Sequence, residues 1–475
     1  MDAVKVTDYP GSRSNETSDA DQVNAKQKTV EASNARSQKS VEENRGGNRE
    51  QRNAAPRNNG QASKRPIIGL FNYGGGMRGL LPAHFMQRIE DVTGLQMADM
   101  VDVFMGPSTG SILNAALNIP DPHNPTRPKF RARHMVRFYE REGAHIFPHD
   151  SFRALRSMIH DFNNRTLRLT QLERLFRHGH YEQANLGRSL RGMYGRHKIS
   201  DTLKSIIIPV YNIDGPNGLG RGGRGAGAVP VPTSSLNSIV SPAQLQDMGR
   251  GGESLWLKNI CFDGAQNVAP PQDADLFDAV MASTAAPTYF PCYSFKIKDH
   301  PDEPARKITG IDGSIFDNPC ISYMGALRPH LPPDRDFIMI VFGTGNYNRA
   351  FCEEDWNRYG SLGVVDPNND MPLINIFFYA SESALNQSFH QELGDRLYVF
   401  NKSLFSGTFK RDYPSPDIDD ASPENIRKLH NFFEMTLEEN RKGFNEICEL
   451  LVKNYDLSQS EPKDSKNSKG SRKGN

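Results

Sequence analysis

The sequence predicts an α/β fold built on a mainly parallel sheet. A short apolar run, PIIGLFNY (66–73), leads into a glycine-rich turn and then a helical pattern. A second strand-like run, MVDVFMG (100–106), passes into a sharp turn and a second helical pattern. Further strand-like and helical runs alternate through the rest of the chain. Parallel strands require this order, because each connection must return to the starting end of the sheet.

Each element has its own signal. PIIGLFNY lacks strict alternation, which suits a strand buried on both faces. Leu81, Phe85, Ile89 and Val92 then recur at near-helical spacing, with Pro82 in the first turn and Gly94 as the stop. Residues 111–117 open the second helix. Residues 121–200 are mostly basic and polar, with helical stretches such as RLTQLERLFRHG (168–179). SIIIPVYNI (205–213) reads as a third strand, and the glycine-rich 215–232 as a mobile insertion. Two more strands are expected at 254–263 and 336–345. Between them lie a helix at 276–284 and the proline-bounded APTYFP (286–291). Late helices are expected over 373–393 and 423–453.

Composition sets the limits. The chain has 475 residues, with 57 basic and 56 acidic side chains and a net charge of +1, so no overall field favours nucleic acid. Only 37% of residues are hydrophobic, and the deficit is local. Residues 1–65 are polar and expected to be disordered, as is the basic tail, 456–475. Residues 66–455 form the expected folded domain, with insertions near 121–200 and 214–250. No secretory h-region and no long apolar span is present, so the expected chain is soluble, cytoplasmic or exported without a conventional signal peptide. Five cysteines without C-x-x-C spacing indicate neither a zinc site nor a disulfide framework, and a reducing compartment fits best. No metal or cofactor is expected.

The glycines of FNYGGGMRGLLP (71–82) fit G-x-G-x-x-G, the outline of a dinucleotide turn and equally of an oxyanion cradle. A dinucleotide fold needs an acidic residue at the end of the second strand. Asp99 precedes that strand and Asp102 lies inside it, so the acid is out of phase. The strand runs instead into Gly106-Pro107-Ser108-Thr109-Gly110, a G-x-S-x-G at a strand-to-helix junction. Glycine at Gly106 and Gly110 gives a strained elbow room, and the helix behind Ser108 favours negative charge at the site. Gly74, Gly75 and Gly76 would let backbone N–H groups approach an oxyanion. Arg78 supplies either a fixed positive charge or a brace for the loop. None of the thirteen histidines stands in a setting that marks a triad base.

GGGMRG, GPSTG, ASTAAPTYFP (282–291), GIDGSIFDNP (310–319) and VFGTG (341–345), in this order, resemble the patatin-like phospholipases. The resemblance covers about 66–404. It implies a three-layer α/β/α fold and a Ser-Asp dyad without histidine. Ser108 would be the nucleophile, Asp312 its activating partner, and Gly74, Gly75, Gly76 and Arg78 the oxyanion loop. Read without the resemblance, Asp312 is either a base within reach of Ser108 or an Asx-turn residue before Gly313. Ser314 departs from the family's usual D-G-G or D-G-A. The expected function is therefore a lipid acyl hydrolase on phospholipid or another acyl lipid, peripheral at membranes, with any activating protein partner unknown. The alternative is a latent or inactive patatin-fold module that binds lipid or protein.

Overall fold

Continuous apolar runs form the middle of an eight-stranded sheet. The computed structural model describes residues 64–148, 181–215, 251–287, 289–300, 302–346, 350–364, 372–404 and 412–460. RLTQLERLFRHG, nearly all of the glycine-rich insertion, residues before 64 and the tail after 460 lie outside them. The strands are β1 (Ile67–Asn72), β2 (Val103–Met105), β3 (Pro120–Asp121), β4 (Asn124–Pro128), β5 (Ser205–Asn212), β6 (Glu253–Asn259), β7 (Tyr293–Ile297), β8 (Arg306–Asp312), β9 (Phe337–Phe342) and β10 (Leu397–Phe400). The longer helices are α1 (Leu80–Thr93), α2 (Thr109–Ala116), α3 (Ala132–Ile146), α4 (Gln183–Tyr194), α5 (Leu276–Ser283), α6 (Glu353–Gly363), α7 (Pro372–Leu393), α8 (Pro423–Glu439) and α9 (Arg441–Ser460).

The sheet runs β10-β9-β1-β2-β5-β8-β7, with β6 on the other edge of β5 and β3–β4 a separate hairpin. From β10 to β5 every pairing is parallel. β6 and β8 pair antiparallel to β5, and β7 antiparallel to β8. All of β1 is buried, and its side chains alternate between two cores. Ile68 and Leu70 join Phe85, Met135, Leu190, Val280, Phe432 and Leu451 from the helices on one face. Ile67 and Phe71 join Tyr323, Leu327, Phe389 and Leu393 on the other. Helices on both faces of the sheet make the expected three-layer α/β/α sandwich.

Several boundaries differ from expectation for local reasons. Met100 belongs to a helical turn, Met97–Met100, so β2 is only three residues long. Val92 matches the apolar spacing of α1 but is 61% exposed, in the last turn of the helix before its left-handed stop at Gly94. The late helix is two helices, broken at Asn440. α9 continues to Ser460, into the region expected as tail. The supposed insertion after 121 contributes core: Met135, Val136, Phe138 and Tyr139 of α3 are buried.

Asp102, out of phase for a ribose ligand, serves the fold. Its carboxylate takes two hydrogen bonds of 3.0 Å from the Arg65 guanidinium and one of 2.9 Å from Ile68 N–H. Arg65 therefore belongs to the folded unit rather than to the polar segment before it. Removing one partner of a buried bidentate pair strands the other charge. Asp102→Ala is expected to cost about 3–5 kcal/mol, read as a lower urea midpoint with unchanged slope.

The arrangement around β5 positions the site. β6 pairs with β5 from Ile206 to Asn212, so β2 and β8 must share the opposite edge. Ser205 to Ile207 pair with β2, and Val210 to Asn212 with β8. β2 and β8 run in opposite directions and stop facing each other across Ile208-Pro209. Ser108 follows the end of β2, and Asp312 is the last residue of β8.

Candidate active site

Met105-Gly106 leaves β2 through a turn that crosses the end of β1. The Asn72 carbonyl fills the space where Cβ atoms of Gly106 and Gly110 would stand, each only 2.0 Å away. Two glycines are therefore required by close approach, and any side chain there would push β1 off the elbow. Asn72 is fixed in turn, donating to Asn114 Oδ1 at 2.7 Å while Asn114 donates to the Met105 carbonyl at 2.7 Å. Ser108 sits at φ 53, ψ −130, a conformation that non-glycine residues rarely adopt. Its N–H is shared between the Ser283 carbonyl (3.2 Å) and Ser283 Oγ (3.1 Å). Its carbonyl accepts from Ser111 N–H at 2.9 Å and Ser111 Oγ at 2.6 Å, starting α2. α2 is buried throughout, so its N-terminal dipole acts on the serine with little solvent screening.

Asp312 arrives from the other side. It is 4% exposed, and burial pushes its carboxyl up to about 6. Hydrogen bonding from the Ser108 side chain and from Ser314 opposes that rise. Ser314 N–H donates to Asp312 Oδ1 at 2.8 Å. The Asx turn does not exclude a role toward Ser108: it fixes the Asp312 carboxylate at the end of β8. Gly313 must be glycine, since a Cβ there would lie 2.2 Å from the Pro209 carbonyl. Among the described residues no histidine hydrogen-bonds to Ser108 or Asp312. His84, on α1, stacks on Phe433 and meets His430 edge to face, and burial pushes it down to about 3.

The glycine loop closes the third side. A Cβ on Gly74 would stand 2.9 Å from Ser108 Cβ and 2.4 Å from Ser314 Oγ, so the loop lies directly on the serine. Gly74, Gly75 and Gly76 have no N–H acceptor among the described residues. The loop then turns into a short helix held by Met77 N–H donating to Ile418 O at 2.7 Å. Arg78 is buried and donates to the Gly345 carbonyl at 3.4 Å, which makes it a brace between the loop and the turn after β9. Open N–H donors, a hydroxyl in a strained elbow and a buried carboxylate can together carry acyl transfer.

A model of the patatin-like phospholipase family matches residues 73–324, more than half of the chain. The chain belongs to that family. Patatin-like protein 2 of Arabidopsis thaliana is 26% identical over 352 residues, covering 67% of this chain and 72% of that protein. Patatin-like protein 1 of Oryza sativa subsp. indica is 25% identical over 385 residues, covering 75% and 77%. Among solved structures, human GIVD cytosolic phospholipase A2 aligns at 12% identity and a TM-score of 0.36, over 85% of this chain and 61% of that one. So low a score adds nothing to the family assignment.

Sequence reasoning missed three residues around this patatin-like site. Ser283 anchors the elbow N–H and donates from its Oγ to the Pro209 carbonyl at 2.7 Å. Asp317 is buried, pushed up to about 7 by that burial, and accepts from Trp256 Nε1 (3.0 Å) and Ser322 Oγ (2.8 Å). It pins the chain beyond Asp312. Thr344 holds the glycine loop. Ser283, Asp317 and Thr344 all fall in the quoted motifs, but nothing local assigns them a contact.

Proposed function

We propose that this patatin-like protein is a lipid acyl hydrolase working through Ser108 and Asp312. The observation that carries the reading is the meeting of β2 and β8 end to end on β5, which sets the elbow serine against a buried carboxylate. Asp312 accepts the Ser108 hydroxyl proton as Oγ bonds to the ester carbonyl carbon. The C–O bond to the leaving alcohol then breaks, and that alcohol takes the proton from Asp312. Water attacks the acyl-serine, Asp312 receives its proton, and Ser108 recovers it as the fatty acid leaves. The Gly74–Gly76 loop stabilises the tetrahedral oxyanion in both halves. A base near pKa 6 removes a hydroxyl proton better than one near 4, yet is ionised at neutral pH.

Phospholipid or lysophospholipid is the proposed substrate class, reached by peripheral contact. Among the described residues no helix is long and apolar enough to cross a membrane. Ile315, three residues beyond Asp312, is 45% exposed and offers an apolar contact near the site. Lipid products from phospholipid vesicles, analysed by mass spectrometry for wild type and Ser108→Ala, test the reading. Free fatty acid from the wild type alone supports it. Silence from both, with and without added cell extract, favours the binding-module alternative.

A further inference from the structure

VFGTG was singled out in the sequence without a role for its threonine. Thr344 is 5% exposed and follows β9 in the turn Gly343-Thr344-Gly345. Its Oγ1 donates to the Gly74 carbonyl at 2.7 Å. The turn itself is fixed at several points. Gly343 N–H donates to Phe400 O at 2.9 Å, Gly345 N–H to Asn401 Oδ1 at 3.0 Å, and Arg78 donates to the Gly345 carbonyl. The hydroxyl therefore projects from a rigid support.

A trans peptide is planar, so its C=O and N–H point in opposite directions. With the Gly74 carbonyl drawn to Thr344, the Gly75 N–H is turned away from Thr344. It has no acceptor among the described residues, and it leaves the chain beside Gly74, which lies on Ser108. We propose that Thr344 is a positioning residue that locks the Gly74–Gly75 peptide so that the Gly75 N–H faces the reacting carbonyl.

A lock is needed because of what the glycines provide. Rotating this peptide changes ψ of Gly74 and φ of Gly75, and glycine tolerates nearly all values of both. The same absence of side chains that lets the loop touch the serine leaves its central peptide free to flip. A flipped peptide would aim a carbonyl oxygen at a developing oxyanion. Thr344 opposes the flip twice: through the hydrogen bond, and by packing where a Gly75 Cβ would stand 2.6 Å from its Oγ1.

The inference rests on the hydrolase reading. Its test compares Thr344→Val, which keeps the shape but loses the hydroxyl, with Thr344→Ser, which keeps the hydroxyl, on a soluble short-chain ester. Thr344→Val is expected to lower kcat about 10–100-fold with KM nearly unchanged, because the lost interaction matters only once the oxyanion forms. Thr344→Ser is expected to stay within about threefold of wild type. Equal activity of Thr344→Val and wild type, or equal loss in the valine and serine variants, overturns the proposal. If Thr344→Val is unstable, Thr344→Ala makes the same comparison. Ser108→Ala, run alongside, separates the failures: if it stays active the hydrolase reading falls, whereas a dead Ser108→Ala with an intact Thr344→Val sinks only the lock.

Discussion

Ser108→Ala is expected to lower ester turnover by about three to six orders of magnitude while leaving the protein folded. The expected loss is large because, in the proposed mechanism, Oγ is both the attacking atom and the site of the covalent intermediate. Residual activity above the uncatalysed rate should remain, since the glycine loop and the α2 dipole still favour the oxyanion that forms when water attacks the ester carbonyl directly. Stability should barely change. Alanine carries the same Cβ into the same left-handed backbone, and the hydrogen bonds that hold the elbow come from the main chain and Ser283. Ser108→Gly tests the strain separately. Relief of φ 53 should raise the urea midpoint by an amount worth about 1 kcal/mol, with activity still absent.

Asp312→Asn is the second large effect, and it moves activity and stability in opposite directions. Asparagine keeps the shape, and its Oδ1 can still accept from Ser314 N–H, but it cannot take a proton from Ser108. A loss of about 10²–10⁴-fold in kcat is expected, with the acid limb near pH 6 abolished. For stability, the folded-state pKa of Asp312 is raised from 3.8 to about 6. Its contribution is therefore fully present below pH 3.8 and is lost as pH rises through about 6. Across that window the wild type gives up on the order of 3 kcal/mol that the asparagine variant never has to lose. Asp312→Asn should thus melt higher than wild type at pH 7, with the gap closing toward pH 4, as thermal unfolding across pH would show. A buried carboxylate is held at the expense of stability, a common condition of active sites.

How far the sequence reached depends on the range of each signal. β1, β5 and β9 were legible because a strand buried on both faces is a continuous apolar run. α1 was legible because Pro82 and Gly94 punctuate it. The elbow was legible because two glycines and a serine at fixed spacing state a local steric need. β7 and β10 were not assigned: five and four residues carry too little pattern. The break at Asn440 was hidden because apolar spacing continues on both sides of it.

The candidate site divides in the same way. Ser108, the glycine loop and the D-G turn could each be found in short stretches. Their meeting could not, because it depends on β8 entering antiparallel on the edge of β5 that β2 leaves free. Resemblance to a family supplied that link where periodicity had none. The contacts of Asn72, Ser283 and Thr344 join residues far apart in sequence, and no spacing rule reaches them. Arg78 had two open readings, and its hydrogen bond to Gly345 favours the brace.

The central claim is that Ser108 becomes acylated with Asp312 as the only base it needs. Rapid mixing with an activated fatty-acyl ester, acid quenching and peptide mapping by mass spectrometry test it most directly. The expected result is a burst of alcohol release and one added acyl group on the peptide containing Ser108, with the burst rate falling below pH 6. Hydrolysis without any acylated peptide, or with the acyl group on a different residue while Ser108→Ala remains active, would contradict it.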